Sequence, residues 1–291
     1  MKGKRGSLLN YVWLSLAALC VTAQNILKQK FGKKSRGGVL FFSGMIAVFA
    51  CLFFVAVNRD FGYRPEQLLF SFGFAASYAV ATVFAVLAMK HGSLAKTNLI
   101  LSCSLLLPTF YGILFLGEKP SITLLIGVVI LVASLVMTNY EKSKERATWK
   151  WWLFVLLSFA GNGMCSIVQR LETERFGNEG QNMFMIVALI MVSIALIVIS
   201  LSFREEREQL KETAKKGWLL ALLCGVANGL TNYLVLYLNT RLPASVMFPV
   251  ISAVDITLIF LYSTLVCKER FNRRQQLGFL LGVISIVLLN L

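Results

Sequence analysis

The chain is poor in the groups from which catalysis and metal binding are usually built. It holds one histidine, His91, in 291 residues. Neither a multi-histidine metal site nor a Ser-His-Asp arrangement has the material to form, so no metal and no cofactor are expected. Acidic residues number 14, and only Asp255 stands near the middle of an apolar run. Six cysteines (20, 51, 103, 165, 224 and 267) fall within or at the ends of apolar runs and never as CxxC. They read as small buried apolar side chains. The 29 Lys and Arg give a net charge of +15, but no separate basic domain gathers them, so a nucleic-acid partner is not expected. Basic residues spread over short loops are the usual markers of membrane topology. No Lys or Arg falls in the central part of any apolar run, which counts against a phosphate-bearing substrate. Long polar stretches are missing too. The longest, 203–216 (FREEREQLKETAKK), reads as a charged surface loop and leaves no room for a soluble domain.

What the chain does have is apolar surface: 57% of its residues are hydrophobic, against about 45–50% in a typical soluble domain. Apolar runs of bilayer-crossing length recur throughout, at 8–27, 39–58, 68–89, 94–116, 121–139, 151–170, 182–202, 217–238, 244–266 and 275–290. The expected fold class is an all-α integral membrane protein with ten transmembrane helices. MKGKR followed by an apolar run and Val21-Thr22-Ala23 has the outline of a signal peptide. A counterpart of this helix later in the chain argues that it is retained.

The two halves repeat. At an offset of 151, GEKPSITLLIGVVILVASLVMTN (117–139) overlays CKERFNRRQQLGFLLGVISIVLLN (267–290), pairing Glu118 with Glu269, Gly127 with Gly278 and Asn139 with Asn290. Carried upstream, the offset pairs Tyr111 with Tyr262 and Ala76 with Ala227. An offset of 140 aligns NILKQKF (25–31) with CSIVQRL (165–171). The expected units are 1–140 and 149–291, five helices each. Five is odd, so the copies must enter the membrane from opposite sides. Equivalent loops accordingly carry opposite charge bias: loop 1–2 has Lys28, Lys30, Lys33, Lys34 and Arg36, and loop 6–7 only Arg170 and Arg175. Inverted repeats require this pattern. The basic loops are the odd-numbered ones, placing both termini outside the cytoplasm, although Lys2, Lys4 and Arg5 argue the other way.

A Gly-Glu closing the fourth helix, a short polar turn and a Gly-containing fifth helix (GEKPSITLLIGVVILVASLVMTN) resemble the drug/metabolite transporter superfamily, in its ten-helix EamA-type branch. Lys268-Glu269-Arg270 repeats the turn in the second half. NILKQKFG is similar to the end of the first helix in small multidrug resistance relatives, but Cys20 stands where they carry a membrane-embedded Glu. Trp13-Leu14 replaces the Trp-Gly common in EamA-type proteins. The resemblance implies a secondary transporter in the plasma membrane, an exporter of amino acids or other small metabolites. The substrate would bind near the midplane between the halves, and a monomer would suffice for the mechanism.

Asp255 is the leading site candidate, sharing a helix face with Phe248, Ser252, Ile259 and Tyr262. An ionised Asp at a span centre costs about 2.5–3.5 kcal/mol on insertion scales, so it should be protonated or face a watery cavity. Two readings stand, a proton- or amine-linked transport site and a packed Asp bonded to a neighbouring Asn or Ser. Its repeat counterpart is Ser104. Asn228 and Asn232, with Thr231, project from one face of the eighth helix as substrate ligands or interhelical hydrogen-bond partners. Tyr111 and Tyr262 are gate candidates or interfacial anchors. Tyr78 and Trp13 are weaker aromatic candidates. Gln24, Asn25, Asn162 and Gln169 add polar groups to the first and sixth helices. Gly225 and Gly229, like Gly278 and Gly282, form GxxxG packing motifs. Pro108 and Pro249 predict kinks in the fourth and ninth helices. Glu118 and Glu269 are expected to pair with Lys119 or Arg270, or to cap the next helix. The rival class, a membrane-embedded enzyme or lipid-handling protein, would need Asp255 and a Glu to converge. A lipid-linked or nucleotide-sugar carrier is the alternative within transport.

Overall fold

In hydrocarbon every backbone N–H and C=O has to be bonded within its own segment, and a chain this apolar meets that demand with helices. The computed structural model describes residues 2–34, 37–59, 61–92, 97, 100–139, 148–266, 268 and 272–289. Among them are ten α-helices: α1 Lys2–Lys34, α2 Val39–Val57, α3 Gln67–His91, α4 Leu106–Phe115, α5 Ile122–Asn139, α6 Trp149–Phe176, α7 Gln181–Ser202, α8 Arg204–Asn239, α9 Ala244–Leu265 and α10 Arg273–Leu289. Seven are long and apolar enough to cross a membrane: α1 over Leu9–Gly32, α2, α3, α6, α7, α8, and α9 over Ala244–Tyr262. Ile100–Phe115 and Ile122–Thr138 are apolar but shorter, and α10 has 17 residues.

Three boundaries differ from the sequence reading. First, α1 does not stop at residue 27 but continues through Lys28 and Lys30, with Phe31 stacked on Phe42 of α2 at 3.8 Å. Second, 203–216 is the start of α8 and not a surface loop. Arg204–Glu208 and Glu212–Lys216 pair one turn apart at 2.9 and 2.8 Å, which favours helix. Glu206 points inward instead, accepting the backbone N–H of Val39 (3.0 Å), Leu40 (2.9 Å) and Phe41 (3.2 Å). A carboxylate on the exposed N–H groups of a helix start caps it and matches its dipole. Third, the fourth span is broken by a 3₁₀ turn, Cys103–Leu105, before α4. Pro108 therefore sits in the first turn of α4, where a missing N–H costs little, and only Pro249 lies inside a helix.

Packing is dominated by α2 against α7 and α8, α3 against α6 and α7, α1 against α8 and α9, α4 against α6 and α9, and α5 against α10. Glycines permit the closest of these approaches. A Cβ at Gly225 would overlap the Phe49 Cβ and lie 2.9 Å from the Ile46 carbonyl, and one at Gly278 would meet the Thr138 backbone at 2.8 Å. Both GxxxG motifs thus serve helix contact, α8 on α2 and α10 on α5. Gly225→Ala is expected to destabilise the protein by about 1–3 kcal/mol through overpacking. Gly32→Ala, where nothing lies within 4 Å, is expected to be neutral or slightly stabilising. Thermal unfolding of the two variants in detergent checks the contrast.

Candidate functional site

Asp255 is held by α1. Thr22 Oγ1 donates to Asp255 Oδ1 at 2.7 Å and Asn25 Nδ2 donates to Oδ2 at 3.0 Å. The hydroxyl of Thr22 also lies 3.0 Å from the Ala18 carbonyl. It has one proton and two acceptors, so two arrangements fit the same coordinates. With Asp255 ionised, the hydroxyl donates to the carboxylate. With Asp255 protonated, the carboxyl donates to Thr22 Oγ1 and the hydroxyl turns to Ala18. The site can therefore take up or release a proton without moving a heavy atom. Of the two sequence readings, the geometry supplies the hydrogen bonds of the second and the protonation freedom required by the first.

On α1, Leu14, Ala17, Gln24 and Phe31 are buried along one stripe with Val21, repeating at three and four residues. Lys28 belongs to the same stripe yet is exposed, as is Asn25 beside it. The lipid-type face, with Leu9, Val12 and Leu19 exposed, lies on the opposite side of the helix. Gln29, Lys30 and Gly32 are exposed as well, so exposure runs along this last part of α1, with Phe31 buried among them. Lys28 lies one turn beyond Asn25, near the end of the apolar stretch Leu9–Gly32 and not in its central part.

Asn228 and Asn232 are joined in a chain that crosses three helices. Asn228 Nδ2 donates to Gln24 Oε1 (2.9 Å), Gln24 Nε2 to Thr231 Oγ1 (3.0 Å), Asn232 Nδ2 to Asn228 Oδ1 (3.1 Å) and Gln169 Nε2 to Asn232 Oδ1 (2.7 Å). This is interhelical bonding between α1, α8 and α6. Asn162 donates to Ser104 at 2.5 Å, bringing two further candidates together. Ser252 is buried next to Asp255 in sequence register, and its hydroxyl has no partner among the described residues. Tyr78 lies near the thiols of Cys165 and Cys224, between α3, α6 and α8. The other aromatics are more distant. Tyr262 is seven residues, about 10 Å, along α9 from Asp255 and lies under the Lys30 ammonium at 6.0 Å. Tyr111 stacks on Phe115 at 5.2 Å, and Trp13 meets Tyr237 edge-on at 6.4 Å. The five described cysteines are free; Cys165 and Cys224 are buried, while Cys20, Cys51 and Cys103 are partly exposed.

Glu118 is structural, but not with the partners expected. Its oxygens accept the N–H of Ala244 and Ser245, both at 2.8 Å, so it caps α9 and not α5. Its ion-pair partner is Arg170 at 3.3 Å, with both side chains nearly buried. Arg170 also donates to the carbonyls of Asn239 (2.5 Å) and Leu242 (3.0 Å) and to Glu174 (3.1 Å). One guanidinium thus ties the end of α6 to the α4–α5 and α8–α9 turns. Glu269 and Arg270 lie outside the described residues, as do Cys267 and Asn290. A separate recess of about 300 Å³, lined by Asn58, Gln181, Tyr233 and Arg241 among others, opens between the end of α2, the start of α7 and the last turns of α8. It contains none of the candidate residues. Among the described residues no three His, Cys, Asp or Glu side chains are grouped as a metal would require.

A family profile described as the EamA-like transporter family matches residues 8–140 and again 174–291. No curated protein matches the chain in sequence. A solved structure titled "Crystal structure of protein" superposes with a TM-score of 0.74 over 96% of this chain and 95% of that one. At 12% identity that likeness concerns the fold alone. Two family matches that together take in most of the sequence, on a bundle of apolar helices, establish that this chain belongs to the EamA-like transporter family, within the drug/metabolite transporter superfamily.

Proposed function

We propose that the protein is a secondary transporter of the plasma membrane, exporting small polar or amphipathic metabolites such as amino acids. It works by alternating access between two inverted five-helix repeats, 1–140 and 149–291, with Asp255 as its proton-coupled site. The observation that carries this reading is a pair of hydrogen bonds. Thr22 bonds Asp255 and Asn162 bonds Ser104. An offset of 140 turns Thr22 into Asn162, and one of 151 turns Ser104 into Asp255. The same cross-repeat contact is thus made twice, once with a titratable group and once without. The helix pairings support the same symmetry. The contact of α1 with α8 is matched by that of α6 with α3, and the contact of α1 with α9 by that of α6 with α4. Such a symmetry gives one chain two related conformations, each opening the central site to one side. Proton release from Asp255 on one side and uptake on the other would couple the exchange to a pH gradient.

The ion pairs support a closed side for this reading. The turns joined by Arg170 and Glu118 close the face toward which α1 begins, whereas the exposed Asn25 and Lys28 lie toward the end of α1. The basic loops, by the positive-inside rule, support a cytoplasmic position for that side. The topology is tested with reporter fusions. A fusion after Lys216 and one after Leu291 are expected to report opposite compartments; the same compartment for both would remove the ten-span inverted arrangement.

A further inference from the structure

We infer that Lys30 is the latch of the second gate: in the conformation opposite to the one seen, the end of α1 closes on the end of α3, and the Lys30 ammonium holds the α3 carbonyls that correspond to those held by Arg170. This rests on the inverted-repeat transport reading and names the residue that shuts its other side. The offset of 140 that aligns NILKQKF with CSIVQRL pairs Lys30 with Arg170. The offset of 151 pairs Asn239 with Ala88 and Leu242 with His91. Arg170 is engaged. Its guanidinium donates to the Asn239 and Leu242 carbonyls at 2.5 and 3.0 Å, joining α6 to the end of α8. α6 packs on α8, whereas α1 has no comparable packing on α3 among the described residues. Lys30 is exposed, its ammonium 6.0 Å from the centre of the Tyr262 ring. One gate thus has its cation docked and its helices packed; the other has the matching cation exposed and its helices unpacked.

In a pair of inverted copies, a difference between the halves in one conformation reverses in the other. The acceptors for Lys30 are in place. Ala88 and His91 belong to the last turn of α3, Gln67–His91, where carbonyls have no partner further along the helix. A cation there also meets the negative end of the helix dipole. Ala88 and Asn239 differ as side chains, but Arg170 bonds the main chain of Asn239, so the change leaves the acceptor intact. The cations are unequal as well. Arg170 reaches two carbonyls and Glu118 at once through its fork, which a single ammonium cannot match. The Lys30 latch is therefore the weaker one, which favours the conformation seen, with the Arg170 gate shut.

The test is a distance measurement between two spin labels in the full-length protein in proteoliposomes. The labels are carried on p-acetylphenylalanine, leaving the native cysteines untouched, and replace Gly32 and Lys90, both exposed, near the ends of α1 and α3. The labelled protein is expected to show a predominant long separation and a minor short one. Lys30→Met is expected to lower the ratio of short to long at least about fivefold, the size of a charge-assisted hydrogen bond less that of the contact with the Tyr262 ring. Lys30→Arg is expected to keep or raise the ratio. A ratio unmoved by Lys30→Met would overturn the latch and leave Lys30 a topology charge, with both separations still present and the transport reading in place. A single long separation in the protein with Lys30 intact, at acid and at alkaline pH alike, would overturn the latch and alternating access together.

Discussion

Asp255→Asn, reconstituted in proteoliposomes, is expected to keep its fold and lose pH-driven accumulation entirely, with uptake falling to the level reached by downhill exchange. The substituted amide fits the hydrogen bonds already present. Its oxygen can accept from Asn25, and its N–H₂ can donate to Thr22 Oγ1, whose hydroxyl then turns to the Ala18 carbonyl 3.0 Å away. Stability should therefore change by no more than about 1 kcal/mol, the scale of a single neutral hydrogen bond. What is removed is the ability to bind and release a proton, the one property that a pH gradient can drive. Initial rates measured with and without an imposed gradient separate the two. A variant that still concentrates solute when the lumen pH differs would make Asp255 a packing residue. Thr22→Val, which removes the hydroxyl that serves both protonation states, is expected to weaken coupling while leaving exchange.

Arg170→Met is expected to produce the largest loss of stability of any single change discussed. It would strand the Asn239 and Leu242 carbonyls and leave Glu118 as a nearly buried carboxylate with no cation. Breaking a buried pair from one side costs about 3–5 kcal/mol, which in a chain of this size lowers the apparent melting temperature by roughly 10 °C. Glu118→Gln should cost less, because an amide oxygen can still accept one of the Ala244 and Ser245 N–H groups. The double variant should lose less than the sum of the two, since each single change already breaks the shared contact. A melting temperature for Arg170→Met within a degree or two of wild type would show that the α4–α5 and α8–α9 turns do not depend on this guanidinium.

Helix positions were legible in the sequence because bilayer-length apolar runs announce themselves. Most boundaries fall within a few residues of those read by hydropathy. The two large errors have one physical cause: hydropathy ends a helix where charge begins, but the backbone does not. α1 passes through Lys28 and Lys30, where Phe31 stacks on Phe42 of α2; α8 begins early, at Arg204, where i,i+4 ion pairs support a charged helix and Glu206 anchors it to the start of α2. Asp255 was legible from its isolation, and Asn228 and Asn232 from their spacing. Thr22 was missed although the offset of 140 that aligned the first and sixth helices pairs it with Asn162. A threonine in an apolar helix carries no signal of its own; its significance arises only from the Asp255 carboxylate 2.7 Å away on a helix more than 200 residues later. Arg170 and Glu118 were each visible as end-of-helix charges, but their pairing depends on tertiary contact and no local pattern encodes it.

The measurement that bears most directly on the central claim is an unbiased one. Proteoliposomes carrying the full-length protein, and protein-free vesicles beside them, are incubated in a metabolite mixture under an imposed pH gradient, and the lumen contents are identified by mass spectrometry. Vesicles with the wild-type protein are expected to concentrate one or a few small solutes, and those with Asp255→Asn to bring the same solutes only to equilibrium. A wild-type lumen indistinguishable from that of protein-free vesicles, whatever the direction of the gradient, would contradict the transport of small metabolites coupled through Asp255.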